Sequence, residues 1–590
     1  MSQISGVSCF DPAVDSGDIL DKVCEGNWLG AGVVRKCGAP LVAMACWSPA
    51  NDAVAGEPAS APGKGSPSGL SVLCGRLGQG GGTIHGPDGP ARAELGNLAA
   101  TGDAALVGSL NGIFAGASWD AAGRRLTIFT DRCGYRPLYY YFDRSRRLLV
   151  FSSRLTGIIR SGVLPVRPNW EACSRFMFFG HCLGDETLFD GVGRVGAGVT
   201  LTFDGAGLRF TEHWSPNSLV VDERMSLSSA IEGSGHLIAQ AIRRRQEGLT
   251  CPPMVCLSGG LDSRMIAAEL GKLGCEFATF TTRGFHPVPL DKPWAALVAQ
   301  RLGVPNTFVD LPDDFVTRCC DQANRLTEYE TDLHQWLLPL MESFGPQYTV
   351  NYDGLAGDTL NLMMLGDDPF RDMDAFLAAE RLSAEQLARK IIAPCGPMKF
   401  LSRRLRRVLS YDAAIAGVAK QLAPYEGNRN RLALFTLLNR TRRATSLAPF
   451  KILQQKVESL CPYMDNDYFD FAMSIPPEIR IPRCLRKDIL KAHYPQVADI
   501  PMAPNMKWYQ ARPEDCDGFA FRRQQRQLRW QRVGRFCIRN SWMFNAPRAA
   551  ARTAHYLLAG GDYMFNDHLA ALMEWLAAFF PGGEGLDGSR

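Results

Sequence analysis

The sequence predicts two domains of different class: a mostly β domain with a few helices over residues 1–215, and an α/β domain over 225–590 built on a parallel sheet and helical in its later part. Three observations predict this. Short alternating apolar segments separated by Gly, Asp and Arg turns fill the first part. From about 225, apolar strands alternate with helix-length segments. One of those strands, PPMVCL, runs into the turn SGGLDS (258–263) and then into a helix.

In chain order, ISGV, LSVLCG, RRLTIFTD (124–131), RPLYYYFD (136–143) and RLLVFSS (147–153) read as strands of the first domain. Between them, NDAVAGEPASAPGKGSPSG (51–69) has the Pro, Gly and Ser content of a flexible surface insertion. In the second domain LSSAIEGSGHLIAQAIRRRQ reads as a helix. It is followed by strand PPMVCL, a helix from Ser263, strand EFATFTT, helix KPWAALVAQRLG and strand NTFVDL. Two helical segments, DDFVTRCCDQANRL and DLHQWLLPLMESFG, and the strand QYTVNYD complete the alternation. Between those helices, TEYETDLHQ (327–335) brings together Glu328, Glu330, Asp332 and His334. It reads as the polar start of a helix, with a pocket wall as the alternative. The basic stretches FLSRRLRRVLS (400–410) and FRRQQRQLRWQRVGRF (521–536) read as solvated helix faces, a docking surface for an acidic partner being the alternative.

The bulk properties narrow the function classes. The chain has 590 residues, 46% apolar and 21% charged, with net charge +4. This balance points away from a dedicated nucleic-acid or membrane-surface protein. No apolar run reaches the roughly 18 residues of a membrane span, and MSQISGVSCFDPAVD has no signal-peptide pattern. The protein is expected to be cytoplasmic, without nucleic-acid or membrane partners. Its 18 cysteines include no CxxC pair, so they are expected to be buried thiols rather than zinc ligands or disulfides.

The turn carries the chemistry. Ligands of open α/β sheets sit beyond the carboxyl ends of the strands. Gly259 and Gly260 can take positive φ and admit a phosphate to the backbone. Amides at the start of the following helix form an anion cradle, and Ser258 and Ser263 add hydroxyls. Asp262 would repel a bare phosphate, so its presence calls for a cation such as Mg²⁺ between them. The GxxxxGK[ST] loop is absent.

Ser-Gly-Gly-x-Asp-Ser resembles the pyrophosphate loop of ATP pyrophosphatases. YDGLAGDTL (352–360) resembles the second ATP/Mg²⁺ segment of the asparagine synthetase family. LCPYMDNDYFDFAMSIPPEIRI (460–481) and IPMAPNMKW (500–508) resemble later segments of that family. LVGSLNGIFAGASWDAAGRRLTIFTDRCGYRPLYYY (106–141) resembles the core of its glutaminase domain. The resemblance implies an α+β Ntn-hydrolase-like β-sandwich followed by an ATP-pyrophosphatase domain, with ATP and Mg²⁺ as cofactors. It implies that Ser258, Gly259, Gly260 and Ser263 grip pyrophosphate, with Leu261 in the same loop. Asp262 and Asp358 would hold Mg²⁺, Lys507 would steady the reacting phosphate, and Leu257, Thr281 and Gly354 would border the adenosine.

The sequence departs from that family in three places. Ser2 stands where the glutaminase has its cysteine nucleophile, and a hydroxyl is the weaker nucleophile unless a base activates it. Cys74, in VLCGRL (72–77), stands where the family has its oxyanion-hole asparagine. The first domain is therefore expected to be a scaffold rather than an ammonia source. Leu355 stands where asparagine synthetase has a glutamate and β-lactam synthetase a tyrosine, which implies a more apolar acceptor pocket.

The implied chemistry is transfer of AMP to a carboxylate, then attack by an amine. With a silent glutaminase the pattern is most similar to lasso-peptide cyclases, which close a macrolactam between a peptide's N-terminal amine and an Asp or Glu side chain. A precursor peptide, a leader-binding protein and a leader peptidase are the partners this implies. The alternative is an asparagine synthetase-type ligase that uses free ammonia. A non-catalytic scaffold and a tRNA-modifying ATP pyrophosphatase are further classes; the intact motif disfavours the first, and low charge and missing CxxC pairs the second.

Overall fold

The computed structural model describes residues 3–27, 32–39, 41–49, 69–77, 104–283, 291–331, 333–361, 373–392, 398, 401–481, 484–501, 536, 539–544 and 567–583. The expected insertion at 51–69 lies outside them except for Gly69, as do Ser2, Asp332 and Lys507 and nearly all of the basic stretch 521–536.

Two antiparallel sheets form the N-terminal domain. Strands β1 (Gln3–Cys9), β2 (Gly32–Ala39), β3 (Val42–Pro49), β7 (Tyr139–Asp143), β8 (Leu148–Ser152) and β9 (Val192–Arg194) make the first, ordered β2-β3-β1-β8-β7-β9. Strands β4 (Gly69–Leu77), β5 (Gly112–Asp120), β6 (Arg125–Thr130), β10 (Val199–Phe203) and β11 (Leu208–Glu212) make the second, ordered β11-β10-β6-β5-β4. Alternating side chains of both sheets meet in one core, with Ile4, Met44 and Phe151 from the first and Val72, Trp119, Ile128 and Leu201 from the second. The opposite face of the first sheet is covered by helices Ser16–Asn27, Leu155–Arg160 and Trp170–Phe179. Helix Asp567–Phe579, late in the chain, returns to this layer, with the Trp575 ring 5.1 Å from Phe189.

The third sheet is wholly parallel, ordered β14-β13-β12-β15-β16: β12 (Met254–Cys256), β13 (Ala278–Thr282), β14 (Asn306–Val309), β15 (Val350–Tyr352) and β16 (Glu458–Leu460). Helices Leu227–Gln246, Asp262–Lys272 and Asp291–Leu302 pack on it as the alternating pattern predicts. Strand β12 is central, so the glycine turn that follows it faces the middle of the carboxyl edge. No helix among the described residues is long and apolar enough to cross a membrane. Most of the cysteines among the described residues are buried.

Buried charges join the two domains. Lys451 donates to Tyr139 Oη at 2.9 Å, Glu328 Oε2 at 2.6 Å and Glu330 Oε2 at 3.0 Å. Arg154 donates to the carbonyls of Leu326 and Arg325 and faces Glu328. Arg443 reaches Glu330 at 3.0 Å and the carbonyls of Gly184 and Glu186, and Arg136 pairs with Glu458. This corrects the reading of TEYETDLHQ. Glu328 and Glu330 do not start a helix; they are about 1% exposed and serve as counter-ions to cations from both domains. The backbone bends there, with Glu328, Tyr329 and His334 all at positive φ. Around the other basic stretch, helix Arg403–Val408 is capped by Ser402 and buries Leu405, leaving Arg403, Arg406 and Arg407 in solvent as expected.

Candidate active site

Strand β12 ends at Cys256, and the turn that follows is braced from within. The Ser258 amide donates to Ser263 Oγ at 3.0 Å, the two hydroxyls lie 3.1 Å apart, and the Gly260 amide donates to Ser258 Oγ at 3.1 Å. Both serines thus shape the loop as well as offering polar atoms to it. Neither glycine has positive φ, which corrects the expectation of a left-handed turn. At Gly260 the requirement is space: an added Cβ would meet Ser258 Oγ at 3.1 Å. The Gly259 amide donates to Asp291 Oδ1 at 2.9 Å, so a carboxylate already lies where this amide meets anions. Helix Asp262–Lys272 begins at the loop and directs its positive end there.

Leu257 and Leu261 are buried and anchor the turn in the main core. Thr281, at the end of β13, is buried too. Its hydroxyl donates to the Leu257 carbonyl at 2.9 Å and to Asn306 Oδ1 at 3.0 Å. These three side chains brace the edge of the site; what they leave for a ligand is backbone.

The second loop lies on the first. Gly354 and Gly357 follow β15, and an added Cβ at Gly357 would come 2.7 Å from Asp262 Cγ, while one at Gly354 would reach Asp262 Cβ at 3.4 Å. Between them Ala356 takes φ of 69°, a conformation a Cβ disfavours. This packing brings Asp358 within electrostatic reach of Asp262. Burial pushes the Asp262 carboxyl above its usual range, Arg486 opposes the shift and Asp358 adds to it. Arg486 donates to Asp262 Oδ2 at 2.7 Å, while Oδ1 is buried without a hydrogen-bond partner. No group of three or more His, Cys, Asp or Glu placed to hold a metal ion occurs among the described residues. Two carboxylates, one with an orphaned oxygen, fit a Mg²⁺ whose remaining ligands are phosphate oxygens and water. Leu355 is buried in the core, and its amide donates to Asp353 Oδ1 at 2.8 Å.

Three participants escaped the motif reading. Tyr463 donates to the Asp262 carbonyl at 3.0 Å, fixing the start of the helix. Arg486 supplies the cation beside Asp262. Arg264 donates to the Gly259 carbonyl at 3.2 Å and to the Pro501 carbonyl at 2.9 Å. It thereby ties the loop to the segment that leads on to Lys507. Asp465, in the same resembling segment as Tyr463, pairs with Arg244 and Arg245 and caps the helix Asn466–Ser474, so its part is structural. In the N-terminal domain Cys74 is buried on β4, and Arg136 donates to its sulfur at 3.3 Å.

Comparison with known proteins agrees with both halves of this architecture. Residues 95–214 match the glutamine amidotransferase domain family and residues 235–498 the asparagine synthase family. A 165-residue stretch is 30% identical to asparagine synthetase [glutamine-hydrolyzing] 3 of Bacillus subtilis (strain 168), covering 28% of this chain and 26% of that protein. A 175-residue stretch is 25% identical to asparagine synthetase [glutamine-hydrolyzing] 2 of the same organism, covering 28% and 23%. The matched stretches span about a quarter of these relatives' length.

Proposed function

We propose that this chain, with its asparagine synthase-type domain, forms amide bonds by way of an acyl-adenylate, releasing AMP and pyrophosphate. The observation that carries the reading is Asp262. It stands at the start of a helix behind the Ser258–Ser263 turn, with one oxygen orphaned and the Asp358 loop packed against it. Loop amides and the helix end bind and orient the phosphates, and Asp262 and Asp358 would hold a Mg²⁺ that would supply positive charge to the departing pyrophosphate. Lys507 would add a further positive charge. The Leu257 and Gly354 backbones and the Thr281 strand end would border the adenosine. Holding adenylate and amine together supplies effective molarities of about 10⁵–10⁸ M, and a closed pocket keeps water from the adenylate.

The acyl and amine groups are proposed to belong to one peptide, so that the product is a macrolactam of the lasso-peptide kind. Ser2 and Cys74 in place of the glutaminase nucleophile and oxyanion donor, and Leu355 in place of an acidic or phenolic residue, support this reading. The setting is the cytoplasm, with a leader-binding protein and a leader peptidase as partners. A second reading, ammonia-dependent asparagine synthesis, is favoured by the names of the two Bacillus relatives.

The test is release of AMP and pyrophosphate from Mg-ATP with two acyl probes. One is a leaderless peptide with a free N-terminal amine and an internal Asp or Glu; the other is aspartate with ammonia. Peptide-dependent AMP with a product one water lighter is the expected result. AMP only with aspartate and ammonia would replace the macrolactam reading by the second, and AMP with neither would remove both.

A further inference from the structure

No group named so far among the described residues would take a proton from the amine. Amide formation needs one, because the nitrogen becomes cationic as it attacks. Most carboxylates around the strand ends are already committed. Asp262 meets Arg486, Asp310 meets Arg283, Glu458 meets Arg136, Asp465 meets Arg244 and Arg245, and Asp291 accepts the Gly259 amide. Glu328 and Glu330 are consumed by Lys451, Arg154 and Arg443.

Asp353 is different. It directly follows β15, between the glycine turn after β12 and the Cys461 turn after β16, and its amide donates to the Leu460 carbonyl at 2.9 Å. It is partly accessible, and no ion pair reaches it among the described residues. One oxygen, Oδ1, accepts the Leu355 amide, which fixes the carboxylate's direction. The titratable neighbours that sense it are two thiols, Cys256 at the end of β12 and Cys461 just after β16, both pushed up by burial and so neutral. Strand alternation puts Asp353 on the face of the sheet shared by Asn351, which accepts the Cys256 amide at 3.1 Å. Burial alone raises the Asp353 carboxyl to about 6, against the Leu355 hydrogen bond. Such a carboxylate is ionised at neutral pH yet accepts a proton readily.

We propose, building on the adenylation reading above, that Asp353 is the general base of the amide-forming step. The amine lone pair attacks the acyl carbon of the adenylate and the C–N bond forms. The C–O bond to phosphorus-bound oxygen breaks, and AMP leaves with that electron pair. The proton shed by nitrogen passes to the Asp353 carboxylate and from there to solvent.

The test separates the two half-reactions in the full chain. ATP–pyrophosphate exchange, with whichever acyl probe supports it, reports adenylation; product mass reports amide formation. In Asp353→Asn the amide oxygen can still accept the Leu355 amide, so exchange should stay within about twofold while amide formation falls about 10²–10⁴-fold. Hydroxylamine, neutral at pH 7 and strongly nucleophilic, should narrow that loss to less than about tenfold. In the wild-type chain the amide step with the probe's own amine, corrected for the fraction of free amine, should rise with pH through about 6; Asp353→Asn should lose that limb. Asp353→Glu should recover part of the rate. Unchanged amide formation, or a parallel fall in exchange and amide formation, would overturn the proposal. Absence of exchange with every acyl probe in the wild-type chain would instead overturn the adenylation reading on which it rests.

Discussion

Arg486 donates to one oxygen of Asp262 at 2.7 Å while the other oxygen of the same carboxylate is buried and unpartnered. Burial disfavours the charged form of Asp262, and Arg486 is what opposes it. Asp262→Ala should therefore abolish AMP formation and leave the fold intact, as circular dichroism and size-exclusion elution would show. Normal turnover in that variant would remove the metal-site assignment.

The same pair sets a pH dependence. The Asp262 pKa is raised in the folded chain, so the ionised form is lost earlier than usual as pH falls. Arg486→Met removes the cation that lowers it, and the acid limb of pyrophosphate exchange should move to higher pH. An unmoved limb would mean that Arg486 acts on phosphate alone.

Gly357 is needed for closeness rather than for a turn. An added Cβ would stand 2.7 Å from Asp262 Cγ, so Gly357→Ala must push the two loops apart. The expected cost in stability is about 1–3 kcal/mol, typical of overpacking. Exchange activity should fall further than that, by about 10²-fold, because a displacement near 1 Å at the site is enough for such a loss. Urea unfolding and exchange rates measured on the same preparation would separate the two.

Much of this was legible from the residues, and the reasons are physical. Helix Leu227–Gln246 and the strand–turn–helix around Ser258 stand where the pattern places them, because periodicity and turn chemistry are local. Strands β2 and β3 were not singled out, since RKCG and AMAC alternate weakly. The buried cations were beyond reach. Nothing beside them in the sequence marks Arg154, Arg443 and Lys451 as buried, and their meeting with Glu328 and Glu330 across the domain boundary accounts for their burial. Tyr463 and Arg486 were invisible for the same reason. Their partner Asp262 is some two hundred residues away, at separations of 201 and 224.

That network gives the sharpest stability prediction. Burial opposes ionisation of Glu328, but Arg154 and Lys451, with the Lys451 and Thr156 hydrogen bonds, outweigh it and hold the carboxyl at about 2. A depressed carboxyl contributes stability that is present above its unfolded pKa of about 4.3. That contribution is lost as pH falls through the folded value of about 2. Lys451→Met would strand Glu328 and Glu330 with less than their full complement of cations, at an expected cost of about 3–5 kcal/mol. Adding Glu328→Gln to Lys451→Met should restore part of that loss, because a buried carboxylate without its cation costs more than a neutral amide. Thermal unfolding of the two single variants and the double variant at pH 7 would read this directly. If the double variant were simply the sum of the singles, the three groups would not be acting as one unit, and the buried charges would not be what fastens the sandwich to the parallel-sheet domain.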